Sequence, residues 1–215
     1  MADAARSGDA RRHSPAAERN RQPIVEVLQR WLPTRGNALE IASGTGQHAV
    51  HFAAGLPGWA WQPTDTEPAA LASIAAWREA SAVANLLPAQ PLDVMATAWP
   101  VTAAVDAIFC ANMLHIAPWA TCGALMQGAA RHLDRDGRLI VYGPFLIDGL
   151  ATAPGNLAFD ADLRARNPAW GLRRLADVAL IAERAGLALQ ERLAMPANNT
   201  MLQFRRNAAR CAAVP

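Results

Sequence analysis

The run Ala38-Leu39-Glu40-Ile41-Ala42-Ser43-Gly44-Thr45-Gly46 decides the fold. Ala38 to Ala42 is a short apolar stretch with a single acid, the composition of a strand covered on both faces. A glycine turn follows from Ser43 to Gly46, and the residues after it predict a helix through Ala54. Strand, glycine turn and helix in that order form a nucleotide cradle, because glycines let backbone approach a ligand and a helix N-terminus offers free N–H groups. Gly44-Thr45-Gly46 with Ala49 also fits the GxGxxG/A dinucleotide pattern, which alone is weak evidence.

Outward from this run, apolar and glycine punctuation alternates. Glu18 to Trp31 has helical spacing, with Pro23 placed in its first turn. Trp59 to Thr64 reads as a second strand, Pro68 to Ala84 as an Ala-rich helix and Gln90 to Val94 as a short third strand. Val105 to Asn112 is the strongest strand. Leu125 to Leu133 reads as a helix, Asp136-Gly137 as a turn and Arg138 to Gly143 as another strand. Leu175 to Ala185 predicts a helix stopped by Gly186, and Leu187 to Leu193 with Met201 to Arg205 alternate as an antiparallel pair. Such alternation predicts an α/β fold, a mostly parallel sheet with helices on both faces and an antiparallel C-terminal strand.

Residues 1–15 are small and polar and are expected to be a disordered start, leaving 16–215 as one domain. Pro144 to Gly171 is the longest stretch without periodicity and is expected to be a lid or substrate wall.

Glu40 separates the ligands such a cradle could take. A pyrophosphate at the turn would be repelled by its carboxylate, whereas a ligand with a cationic amino group would be attracted. S-adenosylmethionine has that character, with an adenosine beside an ammonium and a sulfonium. The second strand ends at Asp65, 21 residues after Gly44, close to the ~20 at which an acid meets ribose hydroxyls. Asp65 also stands where it could cap the helix opening at Pro68. Asp93, with its neighbour Val94, closes the third strand, where a carboxylate can accept from an adenine amino group. Asn112 closes the fourth, over the carboxyl edge where open α/β sheets bind ligands.

Composition narrows the rest. All 20 of the Lys and Arg residues are arginine, which removes Schiff-base, P-loop-lysine and Ser–Lys chemistry. A net charge of +2 without basic clusters argues against a nucleic-acid partner. Residues 107–130 carry no Asp, Glu or Arg and are long enough to cross a bilayer. Asn112, His115, Pro118 and Gln127 within them point instead to a strand, a loop and a core helix, so no membrane partner is expected. Cys110, Cys122 and Cys211 have no metal-ligand or CxxC spacing, and reduced thiols with no signal peptide predict a cytoplasmic protein. No metal is assigned: Asp160-x-Asp162 is one carboxylate pair, short of a site.

The run at 38–46 resembles motif I of the class I S-adenosylmethionine-dependent methyltransferases. Together with "SPAAERNRQPI", "WQPTD", "CANMLHIAPW", "YGPF" and "MPANN", it is similar to the family called domain of unknown function 938, the methyltransferase-like 26 group, from Ser14 to Arg206. The resemblance implies a seven-stranded Rossmann-like methyltransferase fold with its last strand antiparallel. It implies cofactor contacts at Glu40, Gly44, Gly46, Asp65, Asp93 and Asn112, and no particular substrate. Ala42-Ser43 departs from the glycine that many class I enzymes carry there.

The expected function is methyl transfer from S-adenosyl-L-methionine to a small-molecule acceptor; the alternative is a protein of the same fold that binds the cofactor or its demethylated product without turnover. An NAD-dependent oxidoreductase shares the cradle but not Glu40. His115, three residues past Asn112, is the candidate general base, with a backbone-bonded loop histidine as the plainer reading. Tyr142, the only tyrosine, ends the fifth strand and is the second catalytic candidate. His48, just after the turn, is a cofactor candidate that packing or capping also explains. Arg19 or Arg21, aided by Asn20, is expected to close on the methionine carboxylate; a solvated basic helix start is the competing view. Phe159 to Arg164 and Asn198-Asn199 are expected to wall the acceptor pocket. Oligomeric state is left open.

Overall fold

Ala38 to Ile41 are buried on both sides because strand β1 (Gly36–Ile41) sits at the centre of a seven-stranded sheet. In this computed structural model, which describes residues 9–207, β1 lies between β2 (Trp59–Asp65) and β4 (Val105–Ala111), parallel to both. β3 (Gln90–Pro91) extends the sheet beyond β2, and β5 (Leu133–Gly143) beyond β4. β9 (Asn199–Arg206) inserts antiparallel between β5 and β8 (Leu187–Met195), giving the order β3-β2-β1-β4-β5-β9-β8. Six strands run one way and β9 alone runs against them.

One face is covered by α1 (Pro15–Trp31) and α2 (Gln47–Gly55), with Ile24, Leu28 and Phe52 packed on Trp61, Phe109 and Tyr142. The other is covered by α4 (Ala120–His132) and α6 (Leu175–Arg184), with Leu125, Met126 and Val178 on Ile41, Cys110 and Val141. α3 (Pro68–Ser81) packs beside α2 at the sheet edge. Among the described residues, no helix is long and apolar enough to cross a membrane.

Several expected boundaries move. α1 begins at Pro15, with Ser14 Oγ accepting from Ala17 N at 3.3 Å, so Pro23 lies inside the helix and not in its first turn. Within the start expected to be disordered, residues 9–14 are held: Arg12 N donates to Ser73 Oγ at 2.8 Å and Ser14 N to Gln47 Oε1 at 2.6 Å. Residues 1–8 and Cys211 lie outside the described residues. α3 stops at Ser81, where Ala82 takes φ +50°, and α4 starts five residues early, at Ala120. Asp136-Gly137 lies within β5, as an excursion opposite a register shift between Val105 and Ala107.

The 144–171 stretch is not structureless. It contains β6 (Phe145–Leu146), which pairs with β7 (Arg173–Arg174), and α5 (Pro154–Arg166). Leu163 is the one buried residue of α5, so no apolar stripe marked the helix in the sequence.

Candidate functional site

β1 ends in three left-handed residues, Ala42 (φ +54°), Gly44 (φ +59°) and Gly46 (φ +88°). The two glycines serve different ends. A Cβ on Gly46 would stand 2.9 Å from Ile74 Cα, so glycine there lets α3 close on the turn. A Cβ on Gly44 would meet nothing within 4 Å, so its backbone borders open space, as a ligand cradle requires.

The turn is stapled to the end of β2. Ser43 N donates to the Thr64 carbonyl at 2.8 Å, Thr64 Oγ1 to the Glu40 carbonyl at 2.7 Å and Gly44 N to Asp65 Oδ2 at 2.8 Å. Asp65 Oδ1 accepts from Glu67 N at 3.0 Å, just ahead of α3, whose N-cap is Glu67 and which has no side-chain cap, so Asp65 does not cap the helix. Each oxygen keeps a second lone-pair site. Glu40, 2% exposed, accepts from Trp61 Nε1 at 2.6 Å. Burial pushes its carboxyl up to about 8, against the indole bond and reinforced by the Asp65 charge. Asp93 is exposed beyond β3, its Oδ1 accepting from Met95 N at 2.8 Å. Val94 turns its side chain into the core beside Leu92 and Trp99.

Asn112 follows β4 at φ +60°, a conformation asparagine tolerates better than most residues. Its N donates to the Tyr142 carbonyl at 2.8 Å, which joins the ends of β4 and β5. His115 is 1% exposed, and neither ring nitrogen has a hydrogen-bond partner. Burial, reinforced by Arg173, lowers its pKa to about 4. The ring meets Phe145 edge-on at 5.0 Å, and a Cβ on Gly143 would stand 2.4 Å from its Nε2. Its loop is clamped from outside by Arg173, which donates to the carbonyls of Leu114 (2.8 Å), Ala117 (2.7 Å) and Ala169 (2.8 Å). Arg173 carries no signal in the sequence, because its partners are backbone carbonyls and two of the three, Leu114 and Ala117, lie more than fifty positions away.

Tyr142 is buried in the α1-side core and its phenol is pushed up by burial, with Asn20 beside it pulling the other way. Asn20 Oδ1 lies 2.7 Å from His48 Nε2, and the His48 ring stacks on Phe52. Burial lowers His48 to about 4, so it stands as a neutral tie between α2 and α1. A cavity of about 240 Å³ is bounded by Arg19, Asn20, Pro23, Tyr142, Pro196 and Asn199. Arg21, by contrast, pairs with Glu18. A second cavity, about 220 Å³, lies across the β8–β9 hairpin tip between Phe145, Leu150, Asn156 and Asn199. Asn199 therefore walls both. Phe159 stands exposed on α5 and lines neither, and Asp160 is spent on Arg164 Nε (2.9 Å) and Leu172 N (2.6 Å). A depression of about 260 Å³ at the opposite end of the sheet, around Asn37 and Pro100 to Val105, has no titratable side chain in its wall.

Cys110 and Cys122 are buried free thiols pushed up by burial to about 12, outside nucleophile range. Among the described residues no three His, Cys, Asp or Glu side chains gather as a metal site would need.

Sheet order, the turn after β1 and the acids at successive strand ends define the Rossmann-like fold of the class I methyltransferases. Solved structures share it. The mitomycin 7-O-methyltransferase MmcR superposes with a TM-score of 0.77 at 17% identity, over 89% of this chain and 55% of that one. An O-methyltransferase family 2 protein from Planctomyces limnophilus DSM 3776, in complex with apigenin, gives 0.74 at 19% identity over 89% and 60%. PigF with SAH gives 0.74 at 16% identity over 86% and 55%. The chain thus spans little more than half the length of the structures it matches. The chain itself belongs to the family described as Protein of unknown function (DUF938), whose model matches residues 11–206.

Proposed function

We propose that this protein is an S-adenosylmethionine-dependent methyltransferase acting on a small molecule. The observation that carries the reading is the unit formed by Glu40, the left-handed turn and Asp65. It combines a buried acid whose proton a bound ammonium would displace, open space beside Gly44 and a second acid with free lone pairs, an acceptor set suited to a cationic nucleoside. Glu40 and the backbone of Ala42, Gly44 and Gly46 would hold the amino-acid end, Asp65 the ribose, and Asp93 with Val94 the adenine. His48 ties α2, the helix that follows the turn, to Asn20 of α1. Asn112 would face the reacting end.

When bound, the cofactor supplies a methyl group on positively charged sulfur. The protein's share is alignment of the acceptor with that group, worth ~7–11 kcal/mol in favourable cases. If the acceptor carries a proton, Tyr142 and His115 are the groups at hand, and at neutral pH burial keeps the His115 ring in the neutral form a base needs.

The same burial supports a second reading. A histidine held near 4 and 1% exposed is a weak and inaccessible base, which suits a protein that binds the cofactor or its demethylated product without turnover. Calorimetry with S-adenosylmethionine against NAD tests the common core; tight NAD binding with no S-adenosylmethionine binding overturns both readings. A labelled-methyl screen over extracted metabolites then separates them. Transfer that is lost in Asn112→Ala and reduced in His115→Ala supports the enzyme, whereas cofactor binding with no labelled product supports the binder.

A further inference from the structure

We propose that the cavity between α1 and the β8–β9 hairpin is the acceptor site, and that it takes a single-ring carboxylic acid whose carboxylate pairs with Arg19. The proposal rests on the methyltransferase reading above and narrows it to a substrate class.

Size comes first. A cavity of ~150 Å³ holds a benzene ring, and drug-sized ligands occupy ~300 Å³ or more. At about 240 Å³ this one matches one ring with two small substituents better than a fused polycycle. Its walls suit a flat apolar body: Pro23 and Pro196 face it from opposite elements, and Ala16 and Ala197 leave the space clear.

Charge comes second. Arg19 is the one charged side chain in the wall, and no carboxylate accompanies it. Among the described residues Arg19 forms no ion pair, although Arg21, two positions on, is held by Glu18. A guanidinium at a cavity mouth with no acid opposite it matches a planar carboxylate. The polar groups deeper in belong to another part of the ligand. Tyr142 and Asn20 lie together at one wall, and Asn199 spends Nδ2 on the Pro196 carbonyl at 3.2 Å, which leaves its Oδ1 for a donor. An acid with a hydroxyl or amino group across the ring satisfies both ends. Arg19 is thereby moved from the methionine carboxylate, the partner expected for it or Arg21 from the sequence, to the acceptor.

Calorimetry with S-adenosylhomocysteine, then with 4-hydroxybenzoate and its uncharged amide on the loaded protein, tests this. The acid should bind about tenfold more tightly than the amide. Arg19→Ala should bring the two together while leaving S-adenosylhomocysteine affinity unchanged, and Ala16→Trp, on an exposed helix position, should exclude both probes with the same cofactor affinity. If the loaded protein binds neither probe, or binds acid and amide equally, the proposal falls and the methyltransferase reading stands. The same holds if Arg19→Ala weakens S-adenosylhomocysteine, which would return Arg19 to the cofactor. Failure of S-adenosylhomocysteine to bind the unchanged protein overturns the functional reading itself, and the acceptor assignment with it.

Discussion

Glu40 sits where water does not reach, bonded to one indole and facing a second carboxylate at Asp65. A carboxyl raised from 4.5 to about 8 keeps its proton in the folded chain while the unfolded chain releases it. The stability it confers is therefore complete below about pH 4.5 and declines as pH rises through about 8. Glu40→Gln keeps an acceptor for Trp61 and removes the titration. Thermal denaturation from pH 5 to 9 should show a melting point that gains on the unchanged protein by several degrees as pH rises, while S-adenosylmethionine binding is lost. Parallel curves across that range would show that Glu40 does not hold the proton. At this scale the sequence was most informative where a residue type had one physical reason to stand at a strand end: the acid, the two glycines and Asp65 all gather at one turn. Ala42 is the instructive exception. Its φ of +54° is one that glycine adopts without strain, and its methyl group is the least that an L residue can place in that conformation. His115 was legible as a loop histidine next to Asn112, but its burial was not, since burial depends on Gly143, Phe145 and Gly171 brought in from a later strand and loop.

Elements were legible in proportion to the apolar surface they bury. β1 and β4 are apolar runs interrupted by one acid each, the core of β5 is a continuous one, and α6 stops just ahead of Gly186 with φ +87°. α5 was hidden because it buries little more than Leu163, and β3 shrank to two residues because Pro91 interrupts its ladder at the sheet edge. Apart from buried Phe145, Leu163 and Leu172, what holds the 145–174 segment in place is polar. Gly171 N donates to the His115 carbonyl at 2.9 Å, and Arg173 reaches three carbonyls around the same loop. Charged hydrogen bonds of this kind are worth ~1.5–3 kcal/mol each in favourable settings, and removing their donor strands the acceptors. Arg173→Ala should therefore lower stability by about 2 kcal/mol in urea denaturation. It should also speed amide exchange at 113–117 more than in the strands of the sheet, whereas an even increase across the molecule would assign Arg173 a general packing role.

Across the whole molecule, two segments distant in sequence converge on the carboxyl edge of the sheet. The β8–β9 hairpin tip reaches it from one side and residues 9–14 from the other. This N-terminal strap shares two side chains with the glycine turn. Ser73 Oγ donates to the Thr45 carbonyl at 2.7 Å while accepting from Arg12 N, and Gln47 Oε1 accepts from both Ser14 N and Thr45 Oγ1. Trp77 adds a third tie, its Nε1 donating to the Arg12 carbonyl at 3.0 Å with Arg11 over its ring. Any ligand that orders the turn must, by linkage, also favour the docked strap. A chain without lysine makes this directly readable, because trypsin then cuts only after arginine and the strap offers Arg11 and Arg12. S-adenosylhomocysteine should slow cleavage after these two residues by several-fold, with a smaller effect at the exposed Arg184 at the end of α6. Ser73→Ala should raise the basal cleavage rate and weaken the protection, since it removes the atom that joins strap to turn. Equal protection at Arg12 and Arg184 would mean that the ligand stabilises the molecule as a whole and that the strap is not coupled to the turn.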